Sequence, residues 1–113
     1  MTSQVGSVSG TLNAAGIMKN AQGQNLVAQM ASALPTLWVD AGLTSTTINV
    51  EARPAGSAGG FQPITPVGAA TPNITAPGTY CFPPMGGDWE YAISATSYTS
   101  GSAAVYLGLS PNS

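Results

Sequence analysis

The sequence predicts an all-β fold, a single antiparallel β-sandwich of jelly-roll or Ig-like type with an N-terminal arm. Three observations predict it. Short runs rich in Thr, Val, Ile and aromatics alternate inward and outward residues with a period of two. Glycine and proline clusters separate those runs; there are 14 glycines and 9 prolines in 113 residues. The resulting seven or eight short strands at turn-separated spacing are the pattern of a sandwich.

Thr44 to Arg53 (TSTTINVEAR) alternates, with Ile48, Val50 and Ala52 on one face and Glu51 and Arg53 on the other. Pro54 to Gly60 is a turn or loop. Phe61 to Val67 carries Pro63 and Pro66, which confine it to an edge or an irregular segment. Ala69 to Pro77 is a loop. Gly78 to Phe82 (GTYCF) is a short strand, and Pro83 to Gly87 is a turn. Trp89 to Ser97 places Trp89, Tyr91, Ile93 and Ala95 on one face. Thr99 to Ser102 joins it to Ala103 to Leu109, whose Val105, Leu107 and Leu109 face inward. The expected core is Ile48, Val50, Tyr80, Phe82, Ile93, Val105 and Leu107.

The first third is ambiguous. Val5 to Leu12 reads as a Gly/Ser-rich strand. Between Ile17 and Leu34, Leu26, Met30 and Ala33/Leu34 fit a helical face, while Leu26, Ala28, Met30 and Leu34 fit a strand. Pro35 is expected to end that segment, with a new strand over Thr36 to Ala41. The chain therefore divides into residues 1–34, an arm, first strands or a short helix, and residues 35–113, the sandwich module.

Composition narrows the function. Only Lys19, Arg53, Asp40, Glu51, Asp88 and Glu90 are charged, 5% of the chain, for a net charge of −2. Two cations are too few to neutralise a run of phosphates or to hold an anionic lipid surface, so neither nucleic acid nor membrane is an expected partner. There is no histidine, hence no His-based triad and no imidazole ligand. With one cysteine there is no internal disulfide and no zinc site. No signal peptide is expected from MTSQVGSVSG. No enzyme activity, cofactor or metal is expected. A surface of Ala, Ser, Thr and Gln sheds water cheaply and suits a subunit packed against other subunits.

Each candidate site has a bland alternative. Asp88 and Glu90, two apart on a strand, form either an acid/base or cation pair or, as the stronger reading, a solvated edge. Glu51 and Arg53 can pair with each other or with a neighbouring subunit. Cys81, with no base beside it, reads as a small buried hydrophobe. Trp38, Trp89, Tyr91, Tyr98 and Tyr106 are either a sugar-binding aromatic surface or, more often, core and contact residues. Asn73-Ile74-Thr75 matches a glycosylation acceptor by chance. Interface candidates are Ile17, Met18, Leu26, Met30, Arg53 and Trp89.

The stretch Ile74 to Ser110 resembles a β-sandwich module of tailed-bacteriophage structural proteins, most like a capsid decoration (cement) protein. The resemblance lies in Gly78-Thr79-Tyr80-Cys81-Phe82, in Ser97 to Ala103 (SYTSGSA) and in the closing Val105-Tyr106-Leu107. Upstream, the strand before a Gly-rich turn and the aromatic Phe61 fit as well, so the likeness spans roughly residues 36 to 110. Two departures stand out. Ser57-Ala58-Gly59-Gly60 and Phe61 occupy the place of an Asp-Gly turn and a Trp, and Tyr91 or Ala92 that of an Arg. The resemblance implies a structural virion protein on the outer capsid surface, made in the host cytoplasm. It implies binding across major capsid subunits, as a homotrimer. A tail, fibre or other minor virion component and a carbohydrate-binding sandwich are the alternatives.

Overall fold

Alternating apolar residues need a second apolar face to cover them, and here the chain supplies it by folding one long sheet back on itself. The computed structural model describes residues 6–111. It contains β1 (Ser7–Leu12), β2 (Gly16–Ile17), β3 (Ala28–Val39), β4 (Leu43–Thr44), β5 (Thr47–Pro54), β6 (Gln62–Ile64), β7 (Gly78–Cys81), β8 (Met85–Ser97), β9 (Ser100–Gly101) and β10 (Ala103–Pro111). Eight strands form one sheet in the order β1-β10-β3-β8-β5-β6, with β2 added to β8 and β7 to β3; β4 and β9 make a separate ribbon. Every strand pairing is antiparallel. Val5, the first residue of the strand expected over Val5 to Leu12, lies outside the described residues.

Two long strands each serve two halves of the sheet. The first part of β3 pairs with β8 (Ala28↔Tyr91, Met30↔Trp89). Its second part lies between β10 (Leu37↔Leu107) and β7 (Leu37↔Tyr80). One half-sheet is therefore β1, β10, the end of β3 and β7. The other is β6, β5 and β8, with β2 and the start of β3 on the far edge of β8. Their inner faces share one core: Val8, Leu12, Leu37, Val39, Val105 and Leu107 from the first, and Ile48, Val50, Ala52, Tyr91, Ile93 and Ala95 from the second. This is the antiparallel sandwich the alternation predicts. Six of the seven expected core residues are buried; Tyr80 is half-buried and donates its hydroxyl to the Ala76 carbonyl at 2.6 Å.

The crossing from one half to the other is made at Ser32. Its φ is +50°, and the register with β8 shifts between Ala31 and Ala33. Such a bulge adds a residue and bends the strand. It also reverses which positions face inward. Ala28 is buried before it, and Ala33, Pro35, Leu37 and Val39 after it. Leu34, aligned with Ala28 and Met30 on sequence alternation, consequently faces outward and is 38% exposed.

Two local expectations are corrected and one open alternative is resolved. Pro35 does not end a segment; it lies inside β3. Its carbonyl accepts from Phe82 N at 3.0 Å, so its own nitrogen also faces the end of β7, where no ladder partner is required. The 34/35 boundary thus falls within a continuous strand. No helix occurs among the described residues, so the strand alternative for the 17–34 stretch is the one observed. There, Asn20 Oδ1 accepts from the backbone N–H groups of Gln22 (3.0 Å) and Gln24 (2.9 Å), fixing a loop, and pairing with β8 overrides the helix preference of Ala, Gln and Met. Finally, the turn before β8 is shorter than expected: Pro83 and Pro84 are its irregular centre and β8 already begins at Met85.

Candidate functional site

The outer face of the first half-sheet is built from the positions that alternate with its core. In β3, Trp38 stands between inward Leu37 and Val39; in β10, Tyr106 stands between inward Val105 and Leu107. Both aromatics therefore point away from the core, and the register places them opposite each other. Extending that register gives a row across four strands, Ser9, Tyr106, Trp38 and Thr79. The neighbouring row is Ser7, Gly108, Thr36 and Cys81. Trp38 is 43% and Tyr106 47% exposed, and Ser9 and Thr79 beside them are exposed as well.

Gly108 sets the pose of the tyrosine. A Cβ built on Gly108 would meet Tyr106 Cε1 at 2.8 Å and its Oη at 3.4 Å. The Cε1–Oη edge of the ring therefore occupies the space that a side chain at residue 108 would fill. No charged side chain stands in either row. The nearest along β3 is Asp40, exposed at the end of the strand, whose Oδ1 accepts from Ala41 N at 2.8 Å. An exposed sheet face with two adjacent aromatic residues and flanking hydroxyls can pack on an apolar surface and exchange hydrogen bonds at its margins; neither row holds a group for ionic recognition.

Charge collects on the second half-sheet. Arg53 Nε donates to Glu90 Oε1 at 2.9 Å, across the Arg53↔Glu90 register pair. Its Nη1 donates to the Gly59 carbonyl at 3.0 Å, and its guanidinium lies 4.3 Å from the Phe61 ring centre. Arg53 thus clamps the loop between β5 and β6 and pairs with Glu90 rather than Glu51. Glu51 is partly buried, and the loss of water raises its pKa above the ordinary 4.5. Asp88 accepts from Gln29 Nε2 at 3.3 Å. Asp88 and Glu90 are therefore each engaged separately, and the described residues contain no cluster of three or more potential metal ligands.

The six interface candidates fall on or beside the second half-sheet. Met18 is buried. Ile17, Leu26, Met30, Arg53 and Trp89 are half-buried. Met18 and Met30 reach back to the edge of the first half: Cβ atoms built on Gly10 and Gly6 would meet their methyl carbons at 3.2 and 3.5 Å. The two methionines fill the seam beside β1, as flexible thioethers do in irregular gaps. Trp89 is fixed by its Nε1 donating to the Gly86 carbonyl at 2.6 Å.

Of the five aromatics grouped by sequence, the fold brings together Trp38 and Tyr106 alone. Tyr91 is fully buried, Tyr98 donates to the Gly101 carbonyl at 2.7 Å, and Trp89 is on the other half. Cys81 is exposed, not buried, because Tyr80 and Phe82 take the inward positions of that segment. Asn73 serves the fold: its Oδ1 accepts from buried Asn49 Nδ2 at 3.2 Å, and the Pro72 carbonyl accepts from the same nitrogen at 2.8 Å. The signal for the aromatic pair was present in the sequence. Leu37-Trp38-Val39 and Val105-Tyr106-Leu107 each set one aromatic between two aliphatics, which turns the aromatic outward on a half-buried strand. Searches against protein-family models, curated proteins and solved structures find no match for this chain.

Proposed function

We propose that the chain is a structural virion protein that decorates and stabilises a bacteriophage capsid, binding across major capsid subunits as a homotrimer. The observation that carries this reading is the charge distribution. Six charged residues serve the whole chain, and one ion pair, Arg53–Glu90, occurs among the described residues. Few ions must leave water when such a surface is covered, so protein contacts form by shape and apolar burial. The reading is further supported by the resemblance of residues 36–110 to phage structural modules; its motifs fall on β7, the β8–β10 connection and β10. The shell-facing surface in this proposal is the seam carrying Ile17, Leu26, Met30 and Trp89, where half-buried apolar side chains meet solvent.

The test is cryo-electron microscopy of virions containing the chain. Trimeric density over junctions of the outer shell, with the seam inward, is the expected result. Density confined to the tail or connector overturns the capsid assignment. As a second check, washing particles in 1 M salt, where the Debye length falls to about 3 Å, should leave the protein attached.

A further inference from the structure

We propose that the Trp38–Tyr106 platform binds a neutral, extended oligosaccharide, with successive pyranose rings stacked on the two aromatic rings. This goes beyond capsid decoration and uses the opposite half-sheet from the proposed shell contact. The C–H face of an equatorially substituted pyranose is apolar and slightly positive, and it complements the negative π face of an aromatic ring. Here the missing side chain at Gly108 leaves room for the Tyr106 ring, and Trp38 and Tyr106 are both exposed. Trp38 is its direct cross-strand neighbour. The Cβ atoms of directly opposite residues are roughly 5 Å apart, close to the length of one sugar unit. Along the same row, the hydroxyls of Ser9 and Thr79 flank the rings and can exchange hydrogen bonds with equatorial sugar hydroxyls.

Charge decides against the other flat ligand. Bases of single-stranded nucleic acid also stack on aromatics, but their binding requires cations along the backbone path. Neither cation is here: Arg53 is held by Glu90 and Phe61 on the second half-sheet, and Lys19 lies beside β2, donating to the Ile17 carbonyl. Asp40 at the rim repels phosphate and accepts readily from hydroxyls. A linear, equatorially linked chain suits an exposed row of side chains running across the strands, which points to β-1,4-linked glucose or N-acetylglucosamine polymers as the ligand class.

Titration calorimetry of the full chain with cellohexaose and chitohexaose tests this. At least one of them is expected to bind, and Trp38→Ala and Tyr106→Ala are each expected to weaken it about tenfold or more. Gly108→Val keeps both aromatics but pushes the Tyr106 ring off the sheet, and should weaken binding similarly while the melting temperature stays close to that of the parent. The proposal is overturned if neither hexasaccharide binds at millimolar concentration, or if the three variants bind as well as the parent. It is equally overturned if sedimentation shows a self-association that Trp38→Ala abolishes, since a second copy then covers the face. Virion images placing Trp38 against the shell would overturn it too, while leaving the decoration reading intact.

Discussion

Among the described residues, Tyr91 is the largest fully buried side chain, and its hydroxyl has no hydrogen-bond partner there. A buried hydroxyl without a partner costs about 1–3 kcal/mol relative to the same group in water. Tyr91→Phe removes the group and keeps the ring, so it should raise stability by about 1 kcal/mol, measured as a higher denaturant midpoint with an unchanged slope. Burial also pushes the Tyr91 pKa up to about 12 from 10.0. A raised folded-state value means that stability is full below pH 10 and declines as pH rises from 10 towards 12; the Phe variant should lack that contribution. Glu51 works in the same direction at lower pH. Its raised value disfavours the charged form in the folded state. Glu51→Gln should therefore raise the melting temperature at pH 7, and the gain should vanish as pH falls to 4.5 and below. Much at this scale was legible in the sequence, because alternation alone assigned Ile48, Val50, Ile93, Val105 and Leu107 to the core. Tyr91 was placed on the right face, but its stranded hydroxyl depends on what surrounds it across the sandwich. Residue type points Cys81 inward, but on β7 the period puts it outside whatever its chemistry.

Strand assignment was most readable where alternation is uninterrupted, as in β5 and β10, and least readable in β3. The difference is the bulge at Ser32. Ala31-Ser32-Ala33 contains no glycine or proline, so nothing local announces that inward positions change parity there. Two consequences follow from its φ of +50°. A β-branched side chain is strongly disfavoured in that region, whereas glycine is at ease. Ser32 is exposed, so substitution changes backbone strain with little change in burial. Ser32→Val should cost about 1–2 kcal/mol, and Ser32→Gly should leave stability nearly unchanged; thermal unfolding of the two variants side by side checks the ordering. If Val is tolerated, the bend does not depend on a left-handed residue at this point. Pro35 sits inside β3 for a related reason. A proline breaks a ladder only where its nitrogen faces a partner strand, and which edge it faces is a property of the assembled sheet.

At the scale of the whole molecule, the first strand forms one edge of the sheet. β1 (Ser7–Leu12) pairs with β10 (Ala103–Pro111), and β10 in turn lies against β3, so the first strand is attached to the last. Sequence alternation finds β1 but not its partner, since pairing over such a separation leaves no local mark. This pairing bears on the division into an arm and a module. Residues 1–34 contribute Val8, Leu12, Met18, Ala28 and Ala33 to the core and the first half of a strand that continues to Val39. Burying the three larger side chains alone is worth roughly 2 kcal/mol each, or about 6 together, against a net stability of about 5–15 kcal/mol for a typical domain. Their removal would also strip β8 of its pairing with β2 and β3, and β10 of its pairing with β1. The backbone groups so exposed include long, nearly uncharged strand edges, which pair readily with other chains. A chain lacking residues 1–34 is therefore expected to be unfolded or aggregated, with loss of the β signal in circular dichroism and no cooperative melting transition. A truncated protein that melts cooperatively would show instead that residues 35–113 can rebuild the covering of β8 and β10 without the first strands.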